Sequence, residues 1–295
     1  MMAISLDALN AADRAAFVAA LGEVMELAPW AAEQAYAARP FASLAALHQA
    51  MTDAVRNAGA DRQRALIDAH PDLAGKAARE RKLSADSTAE QAGAGLDRLS
   101  DGEFATFERL NAAYRQKFGM PFIVCVRRHG RDSILRQFER RFGNDAATER
   151  ETALAEIFRI AALRLDQRVA APDRLKVHGR LSTHVLDTHL GRPAAGVAVE
   201  LCEIGAGGAV AVMEKTVTNA DGRTDRPLIA GRPIPIAVYE LRFAVGDYFA
   251  RRGLSLADPP FLGMVPLRFA IAEPEGEYHV PLLVTPWSYS TYRGS

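Results

Sequence analysis

The spacing of hydrophobic and polar positions changes once along this chain of 295 residues. Up to about residue 168, apolar side chains recur at helical intervals. The clearest stripe follows the intervals i, i+3, i+4, i+7, i+8 and i+11, and consists of Leu154, Ile157, Phe158, Ala161, Ala162 and Leu165. Beyond residue 177, short β-rich runs such as 233–245 replace it. The pattern therefore predicts a helical first part and a stranded second part.

The prolines divide the chain at the same place. Four of the fifteen lie in residues 1–171 and eleven lie in 172–295. Because proline lacks a backbone N–H and breaks helix interiors, the second part is not mainly helical. We therefore predict an all-α domain over 1–169, a linker over 170–176 and a β-sandwich domain over 177–295.

Capping residues predict the bounds of the helices in the first part. The expected helices run from Asn10 or Asp13 to about Leu27, and over about 43–58, 61–70, 100–118, 131–142 and 147–168. Ser100 and Glu103 have the spacing of a reciprocal capping box, and Gly119 stops the helix that they begin. The apolar run 122–126 is either a short strand or buried extended chain.

Turn residues separate the predicted strands of the second part. Strands are expected over 178–189, 196–204, 209–218, 233–245, 265–272 and 277–288, with one short helix at about 246–252. The glycine-rich stretch 205–208 and the pair Glu275-Gly276 are expected to form hairpin turns. The segment 219–222 is a further turn.

Composition limits the class of protein. Lys and Arg together number 36 and balance 36 Asp and Glu, so no net basic charge indicates nucleic acid or an anionic membrane as a partner. No apolar run approaches the ~18 residues of a membrane span, and the N-terminus lacks the layout of a signal peptide. Two cysteines are too few for a disulfide framework or a thiolate zinc site. A reduced, cytoplasmic protein is expected.

Three segments of the first part contain polar residues with both a structural and a functional explanation. His70 precedes Pro71 at a predicted helix end, where the helix dipole by itself favours a histidine. Ser87 and Glu90 have capping-box spacing, which explains the pair without catalysis. Arg164 interrupts the apolar stripe, either as a side chain that reaches solvent or as a forked cation for a carboxylate or urea-like carbonyl.

Together these segments resemble the decarboxylases of 2-oxo-4-hydroxy-4-carboxy-5-ureidoimidazoline (OHCU), which produce (S)-allantoin. The resemblance covers about residues 5–168 and rests on His70-Pro-Asp-Leu, Ser87-Thr-x-Glu-Gln-x-Gly-x-Gly-Leu96, Pro121-Phe-Ile-Val and Leu163-Arg-Leu. It implies that His70 is the acid and base, Glu90 its charged partner and Arg164 the ligand of the substrate carboxylate or ureido end. It also implies a pocket lined by Pro71, Ser87, Gln91, Phe122, Ile123 and Val124.

The second part contains two histidines and a turn that also have both a structural and a functional explanation. His184 and Asp187 have an odd separation, so on a strand they point to opposite faces, which disfavours a metal site. The turn 218–223 and the strand residue His279 each have a structural explanation when taken singly.

Jointly, these residues resemble the 5-hydroxyisourate hydrolases, which are related to transthyretin. The resemblance covers about 177–295 and rests on His184-Val-Leu-Asp, Asp221-Gly-Arg223, His279 and the closing Tyr292-Arg-Gly-Ser295. It implies a transthyretin-like β-sandwich that forms a tetramer, with metal-free active sites between dimers. The implied site consists of His184 and His279, which orient and deprotonate water, Arg223, which binds and polarises the substrate, and Tyr292 and Ser295, which complete the pocket.

The two implied reactions are consecutive steps of urate breakdown, in reversed chain order. We therefore expect a bifunctional enzyme that acts on small-molecule substrates without metal or cofactor. It is expected to be a homo-oligomer, a tetramer through the β-domain, with dimer contacts through the α-domain left open. A carrier that binds a ligand without turnover, and a chain in which one domain serves only as a scaffold, are the alternatives.

Overall fold

The computed structural model describes residues 3–74 and 84–294. Contacts divide the chain into two compact units. One comprises Met1–Arg127 and Ile134–Val177, and the other comprises Arg128–Ser133 and His178–Ser295. The first unit is helical and the second consists of β-sheets, as the hydrophobic pattern predicts. The grouping of 128–133 with the second unit is not visible in that pattern.

The first 170 residues contain nine described helices and one small sheet. Strand β1 (Ile4–Ser5) pairs in parallel with β2 (Val169–Ala170). The helices are α1 (Leu6–Ala11), α2 (Arg14–Leu21), α3 (Pro29–Ala35), α4 (Leu44–Arg56), α5 (Ala60–Asp68), α6 (Ala85–Gly93), α7 (Asp101–Phe118), α8 (Arg131–Arg141) and α9 (Ala146–Arg168). Short 3-10 turns follow α3 and precede α8.

Most of the predicted helix starts are confirmed. Asp13, Ser43 and Ser100 accept hydrogen bonds from the first turns of α2, α4 and α7. Ser100 and Glu103 form the complete capping box, and Gly119 ends α7 in the left-handed conformation. The capping arguments succeed because they depend on residues only three positions apart.

The prediction of one helix reaching about Leu27 is wrong. Two helices, α1 and α2, occupy this stretch, and α2 ends at Leu21. Asn10 is not a cap, because it lies inside α1 and its amide bonds the backbone of Phe41. Helix α3 was not expected; Pro29 occupies its first turn, where no N–H is needed.

Helix α9 lies at the centre of the helical core. All members of the predicted stripe are buried, and so are Glu156 and Arg164 on its other faces. A helix buried on several faces belongs to the interior of its unit rather than to its surface. The apolar run 122–126 is buried and is extended as far as Cys125, the second of the two expected alternatives.

The second unit contains eleven described strands in three sheets. The strands are β3 (Gly179–Ser182), β4 (Val185–Asp187), β5 (Arg192–Pro193), β6 (Ala198–Ile204), β7 (Val210–Val217), β8 (Ile229–Arg232), β9 (Ala237–Ala244), β10 (Met264–Ile271), β11 (Glu277–His279), β12 (Leu282–Val284) and β13 (Tyr289–Ser290). The sheet orders are β10-β9-β6-β7, β11-β3-β8 and β13-β12-β4-β5. One apolar core joins these sheets as a sandwich. Helix α10 (Val245–Arg251) matches the predicted short helix.

Two of the predicted strands are interrupted. The stretch 178–189 divides into β3 and β4, and 277–288 divides into β11 and β12, because in each case the chain passes from one sheet to another. Strand β8 was not expected. Glu275-Gly276 is not a hairpin turn, since β10 and β11 belong to different sheets.

Several classes of site are lacking among the described residues. No helix there is long and apolar enough to cross a membrane. Within the same residues, no group of three or more His, Cys, Asp or Glu side chains is arranged to hold a metal ion. Cys125 and Cys202 are free and buried.

Two candidate active sites

A pocket in the helical unit is lined by residues from four segments that are distant in sequence. It encloses about 420 Å³, part of it open to solvent. Every site residue expected in this domain lines it: His70, Pro71, Ser87, Glu90, Gln91, Phe122, Ile123, Val124 and Arg164. Leu73, Val126 and Ile160 complete the wall.

His70 lies just beyond the end of α5 and presents one free ring nitrogen. Its Nδ1 lies 2.9 Å from the Leu66 carbonyl oxygen, which only accepts, so Nδ1 carries the hydrogen. Nε2 is buried and has no hydrogen-bond partner among the described residues. Burial lowers the pKa of His70, and the opposing effects of Leu66 and the Glu26 carboxylate do not offset it. The ring is therefore a neutral imidazole with a lone pair on Nε2, the form that acts as a general base.

The capping-box explanation of Ser87 and Glu90 is wrong. Ser84 is the N-cap of α6 and accepts a hydrogen bond from the Ser87 backbone N–H. Ser87 lies inside the helix, and its hydroxyl donates to Glu26 Oε2 at 3.1 Å. Both Ser87 and Glu90 therefore direct their side chains to a buried charged cluster instead of the helix end.

Arg164 is the cation of that cluster, and it does not reach solvent. Its side chain is 3% exposed. Nε and Nη2 donate to the two Glu90 carboxylate oxygens, each at 2.9 Å, and Nη1 donates to Glu26 Oε2 at 2.8 Å. Nη2 also lies 3.3 Å from the Ser87 hydroxyl. Because every guanidinium nitrogen has a partner, Arg164 binds a substrate carboxylate only if one of these groups is displaced.

Glu26 is the residue of this cluster that the motifs did not predict. It follows α2 and is 6% exposed. Burial raises the pKa of Glu26, but a hydrogen bond with Ser84 and the charge of Arg164 outweigh it, so the pKa is lowered. In the sequence, Glu26 is distinguished only as a carboxylate between two apolar residues, Met25 and Leu27. In the structure, Leu27 is left-handed (φ 50°).

Hydrogen bonds from side chains to the backbone hold the walls of the pocket in place. Gln91, a wall residue itself, accepts a hydrogen bond from the Ala74 N–H at 3.0 Å. Another part of the wall is the extended segment 122–124, whose Ile123 carbonyl accepts from Arg141 at 2.6 Å. The N–H of the next residue, Cys125, donates to Glu156 at 2.8 Å. Backbone groups that lack a strand partner are thus held by buried charges.

A second cluster, in the β-unit, is built around two histidines. His184 Nδ1 lies 2.6 Å from His279 Nε2, and His279 Nδ1 lies 2.9 Å from the Ser182 hydroxyl. Strand pairing brings them together, because β3 and β11 run parallel with Ser182 opposite His279. Ser182 was not predicted. The pairing leaves His184 Nε2 as the ring nitrogen for a ligand or water.

Arg223 joins the histidines through the turn 219–223. It forms an antiparallel bridge with His184, and the Val185 N–H donates to the Gly222 carbonyl at 2.8 Å. Burial, followed by the charges of His279 and Arg223, lowers the pKa of His184. Burial and the charges of Arg223 and Arg180 lower the pKa of His279. Both rings are therefore neutral at neutral pH.

The segment 292–294 lies against this cluster. The Gly294 N–H donates to the His279 carbonyl at 2.8 Å, and a Cβ at Gly294 would lie 2.9 Å from His279 Cδ2. Only glycine fits this approach without moving the ring. Tyr292 is exposed, and Ser295 lies outside the described residues.

Asp187, which accompanies His184 in the motif, has a structural role. It is buried and accepts hydrogen bonds from the His189 and Leu190 N–H groups and from the Tyr248 hydroxyl. Its carboxylate is therefore occupied by the turn after β4. This arrangement agrees with the sequence argument against a metal site at His184 and Asp187.

We expect Gly222→Ala to destabilise the β-unit by about 2–4 kcal/mol. Gly222 has φ 69°, which an alanine rarely adopts. An added Cβ would also lie 2.3 Å from the Val185 carbonyl oxygen, which is a steric clash. Denaturant unfolding followed by Trp287 fluorescence in a Trp30→Phe background measures the loss. Gly191→Ala is the matched control, because φ is 65° there but no atom lies within 4 Å of the added Cβ. Equal losses in the two variants would contradict a steric requirement at Gly222.

Comparisons with known proteins match both units. The family profile of OHCU decarboxylase matches residues 10–166, and that of the HIUase/Transthyretin family matches 181–294. A 5-hydroxyisourate hydrolase of Deinococcus radiodurans is 55% identical over 118 residues, which are 40% of this chain and 98% of the relative. An OHCU decarboxylase of Haloferax volcanii is 42% identical over 171 residues, which are 58% of this chain and 99% of the relative.

A solved structure covers both units at once. A crystal structure of (S)-allantoin synthase is 32% identical, spans 99% of this chain and 100% of its own, and superposes with a TM-score of 0.50. The chain therefore belongs to the OHCU decarboxylase family through its helical unit and to the HIUase/transthyretin family through its β-unit.

Proposed function

We propose that this chain is a bifunctional enzyme of urate breakdown. The β-unit hydrolyses 5-hydroxyisourate to OHCU, and the helical unit decarboxylates OHCU stereospecifically to (S)-allantoin. The observation that carries the proposal is the match to (S)-allantoin synthase over 99% of the chain. Two observations support it: His70, Glu90 and Arg164 line one pocket, and His184 lies within hydrogen-bond distance of His279.

His70 is the acid and base of decarboxylation in this proposal. Its Nε2 lone pair takes the proton of the substrate hydroxyl while the bond to the carboxylate breaks and carbon dioxide leaves. The electron pair of that bond passes into the ring imine, whose nitrogen takes a proton from solvent, so the substrate is its own electron sink. The imidazolium then returns the proton from one face to the ring carbon that becomes the stereocentre.

Glu90 and Arg164 act as one unit in this proposal. Arg164 holds both Glu90 oxygens and thereby fixes the carboxylate plane toward the pocket. A fixed carboxylate suits the paired N–H groups of a ureido substituent. Pro71, Ser87, Gln91 and the segment 122–124 shape the pocket around the ring.

The β-unit site opens the other ring by attack of water. His184 Nε2 takes a proton from the water that attacks the amide carbonyl, and Arg223 polarises that carbonyl. The bond between ring nitrogen N1 and carbon C6 breaks, and the proton passes to the leaving nitrogen. His279 orients His184 through the contact of 2.6 Å, and Tyr292 and Ser295 complete the pocket.

The experiment is a time course on freshly prepared 5-hydroxyisourate with the full chain. Ultraviolet absorbance follows the decay of the substrate and of OHCU, and circular dichroism follows optically active allantoin. We expect both decays to be accelerated and the product to be the S enantiomer. Racemic product at the uncatalysed rates would overturn the proposal, and tight binding without turnover would favour a carrier.

We also propose a homotetramer formed through the β-unit, in the cytoplasm. Trp287, Tyr289, Tyr292 and Leu190 are exposed apolar side chains of this unit in the single chain, which supports a face covered by other copies. The free cysteines fit a reducing compartment. Light scattering after gel filtration tests the assembly, and a monomeric mass would contradict it.

Glu26→Gln is expected to shift the pH dependence of decarboxylation. The Glu26 carboxylate favours the imidazolium form of His70, so its removal lowers the pKa of His70 further. The base then stays neutral to lower pH, and the acidic limb of the kcat profile moves down by about 0.5–1 pH unit. Glu23→Gln is the control, because Glu23 is 91% exposed. An unchanged or upward-shifted limb in Glu26→Gln would contradict the coupling.

A further inference from the structure

We propose that Ser182 is a positioning residue of the β-unit site and holds His279 in the tautomer that makes His184 the base. This inference rests on the hydrolase activity proposed above. Ser182 belongs to none of the motifs that indicate the hydrolase, and its positioning role is inferred from its contacts alone.

The three side chains form a linear chain of hydrogen bonds. The Ser182 hydroxyl lies 2.9 Å from His279 Nδ1, and His279 Nε2 lies 2.6 Å from His184 Nδ1. Both nitrogens of His279 are therefore engaged, one by each neighbour. Ser182 is half-buried at the end of β3. Its backbone carbonyl accepts a hydrogen bond from the Val280 N–H, so the backbone that carries the hydroxyl is held in place.

A neutral imidazole has one N–H, so this chain has only two arrangements of protons. In the first, the Ser182 hydroxyl donates to His279, His279 donates to His184, and His184 carries its hydrogen on Nε2. In the second, His279 Nδ1–H donates to the Ser182 oxygen and His279 Nε2 accepts from His184 Nδ1–H. His184 Nε2 is then unprotonated. Only the second arrangement offers a lone pair to the attacking water.

In the series of nucleophile, base and orienting group, His279 orients the base His184, and Ser182 in turn orients His279. When His184 takes the proton of water, its Nδ1 hydrogen moves to His279 Nε2, and the positive charge reaches His279. The Ser182 oxygen accepts from His279 Nδ1–H throughout and so stabilises the charged ring. When the leaving nitrogen takes a proton from His184 Nε2, the hydrogen returns from His279, and the starting arrangement is restored.

The charges around the pair keep both rings unprotonated before the reaction. Arg180 on β3 and Arg223 in the turn 219–223 both disfavour a protonated pair. Arg293, in the segment that lies against His279, is drawn over the Tyr278 ring at 4.8 Å. A serine oxygen stabilises the charged ring through one hydrogen bond without adding a buried carboxylate.

Ser182→Ala and Ser182→Thr in the full chain test this inference. Alanine removes the acceptor, and threonine keeps it. For Ser182→Ala we expect kcat of ring opening to fall about tenfold with little change in KM, since one hydrogen bond to the charged ring is lost. The acidic limb of kcat moves to lower pH, because the protonated pair is less stabilised. Ser182→Thr restores both, and decarboxylation is unchanged in both variants.

Nitrogen-15 spectra of the histidine side chains give a readout that is independent of turnover. The neutral wild-type chain is expected to show His279 as the Nδ1–H tautomer, and Ser182→Ala to show a population of the Nε2–H tautomer. A wild-type His279 in the Nε2–H form, an unchanged pH profile in Ser182→Ala, or a failure of threonine to restore it would each overturn the inference. If the wild-type chain did not accelerate ring opening at all, the hydrolase proposal itself would fail, which the same assay distinguishes.

Discussion

His70→Asn is expected to lower kcat for OHCU decarboxylation at least about 100-fold, because it removes the base and proton donor of the reaction. The asparagine amide nitrogen takes the place of Nδ1, so the hydrogen bond to the Leu66 carbonyl is kept. Only the Nε2 lone pair is lost. Ring opening of 5-hydroxyisourate continues at the wild-type rate, OHCU accumulates, and the allantoin that forms is racemic by circular dichroism.

The matched control for this variant is His48→Gln. His48 lies in the same unit, and its Nε2 also contacts a backbone carbonyl, that of Phe158 at 2.9 Å. Glutamine places its amide nitrogen near the Nε2 position and keeps that bond. We expect His48→Gln to retain decarboxylation. Full activity in His70→Asn would refute the assignment of the base, and loss of ring opening as well would refute two separate sites.

The same substitution changes how stability depends on pH. The unfolded histidine has a pKa near 6.5, whereas burial keeps His70 neutral below that pH. The unfolded chain therefore binds more protons as the pH falls below 6.5, and the free energy of unfolding decreases. His70→Asn removes this contribution, so the helical unit should lose less stability than the wild type between neutral and mildly acidic pH.

The residues that the family resemblance implies for the helical unit are those that the structure brings together most clearly. The motifs around His70, Ser87 and Phe122 each place several side chains in the pocket, because a helix or an extended run fixes the direction of neighbours. The capping box at Ser100 is confirmed for the same reason. At Ser87 the same spacing argument is wrong, since the true cap, Ser84, lies three residues earlier.

The residues that sequence reasoning missed depend on contacts between distant segments. Glu26 meets Arg164 across 138 positions, and Ser182 meets His279 across 97. Neither has a local pattern, because its role is defined only when two elements pack. Strand β8 and the break between β3 and β4 were missed for a related reason, since membership of a sheet is a tertiary property.

A buried ion pair behind the pocket carries the largest expected effect on stability. Arg141 and Glu149 are 2% and 0% exposed, and Arg141 Nε lies 2.8 Å from Glu149 Oε1. Arg141→Met leaves the Glu149 carboxylate buried without its cation, although Tyr114 still donates to it. We expect the helical unit to lose about 3–5 kcal/mol, a large share of the ~5–15 kcal/mol that stabilises a typical protein.

The two tryptophans allow each unit to be followed separately. Trp30 lies in the helical unit and Trp287 in the β-unit. In a Trp287→Phe background, Trp30 fluorescence reports denaturant unfolding of the helical unit; in a Trp30→Phe background, Trp287 reports the β-unit, which should be unchanged. Separate probes are needed because two units do not unfold as one two-state system.

Arg115→Met is the control for the loss of an ion pair as such. Arg115 lies 2.9 Å from Asp72, but the two side chains are 43% and 33% exposed, so solvent screens the pair and a loss below about 1 kcal/mol is expected. The double variant Arg141→Met/Glu149→Met should recover much of the stability, because no charge is then left buried alone. If Arg141→Met lost no more than Arg115→Met, the buried pair would not stabilise the fold. Because Arg141 also holds the Ile123 carbonyl, any stable variant that lacks it should decarboxylate more slowly while ring opening is kept.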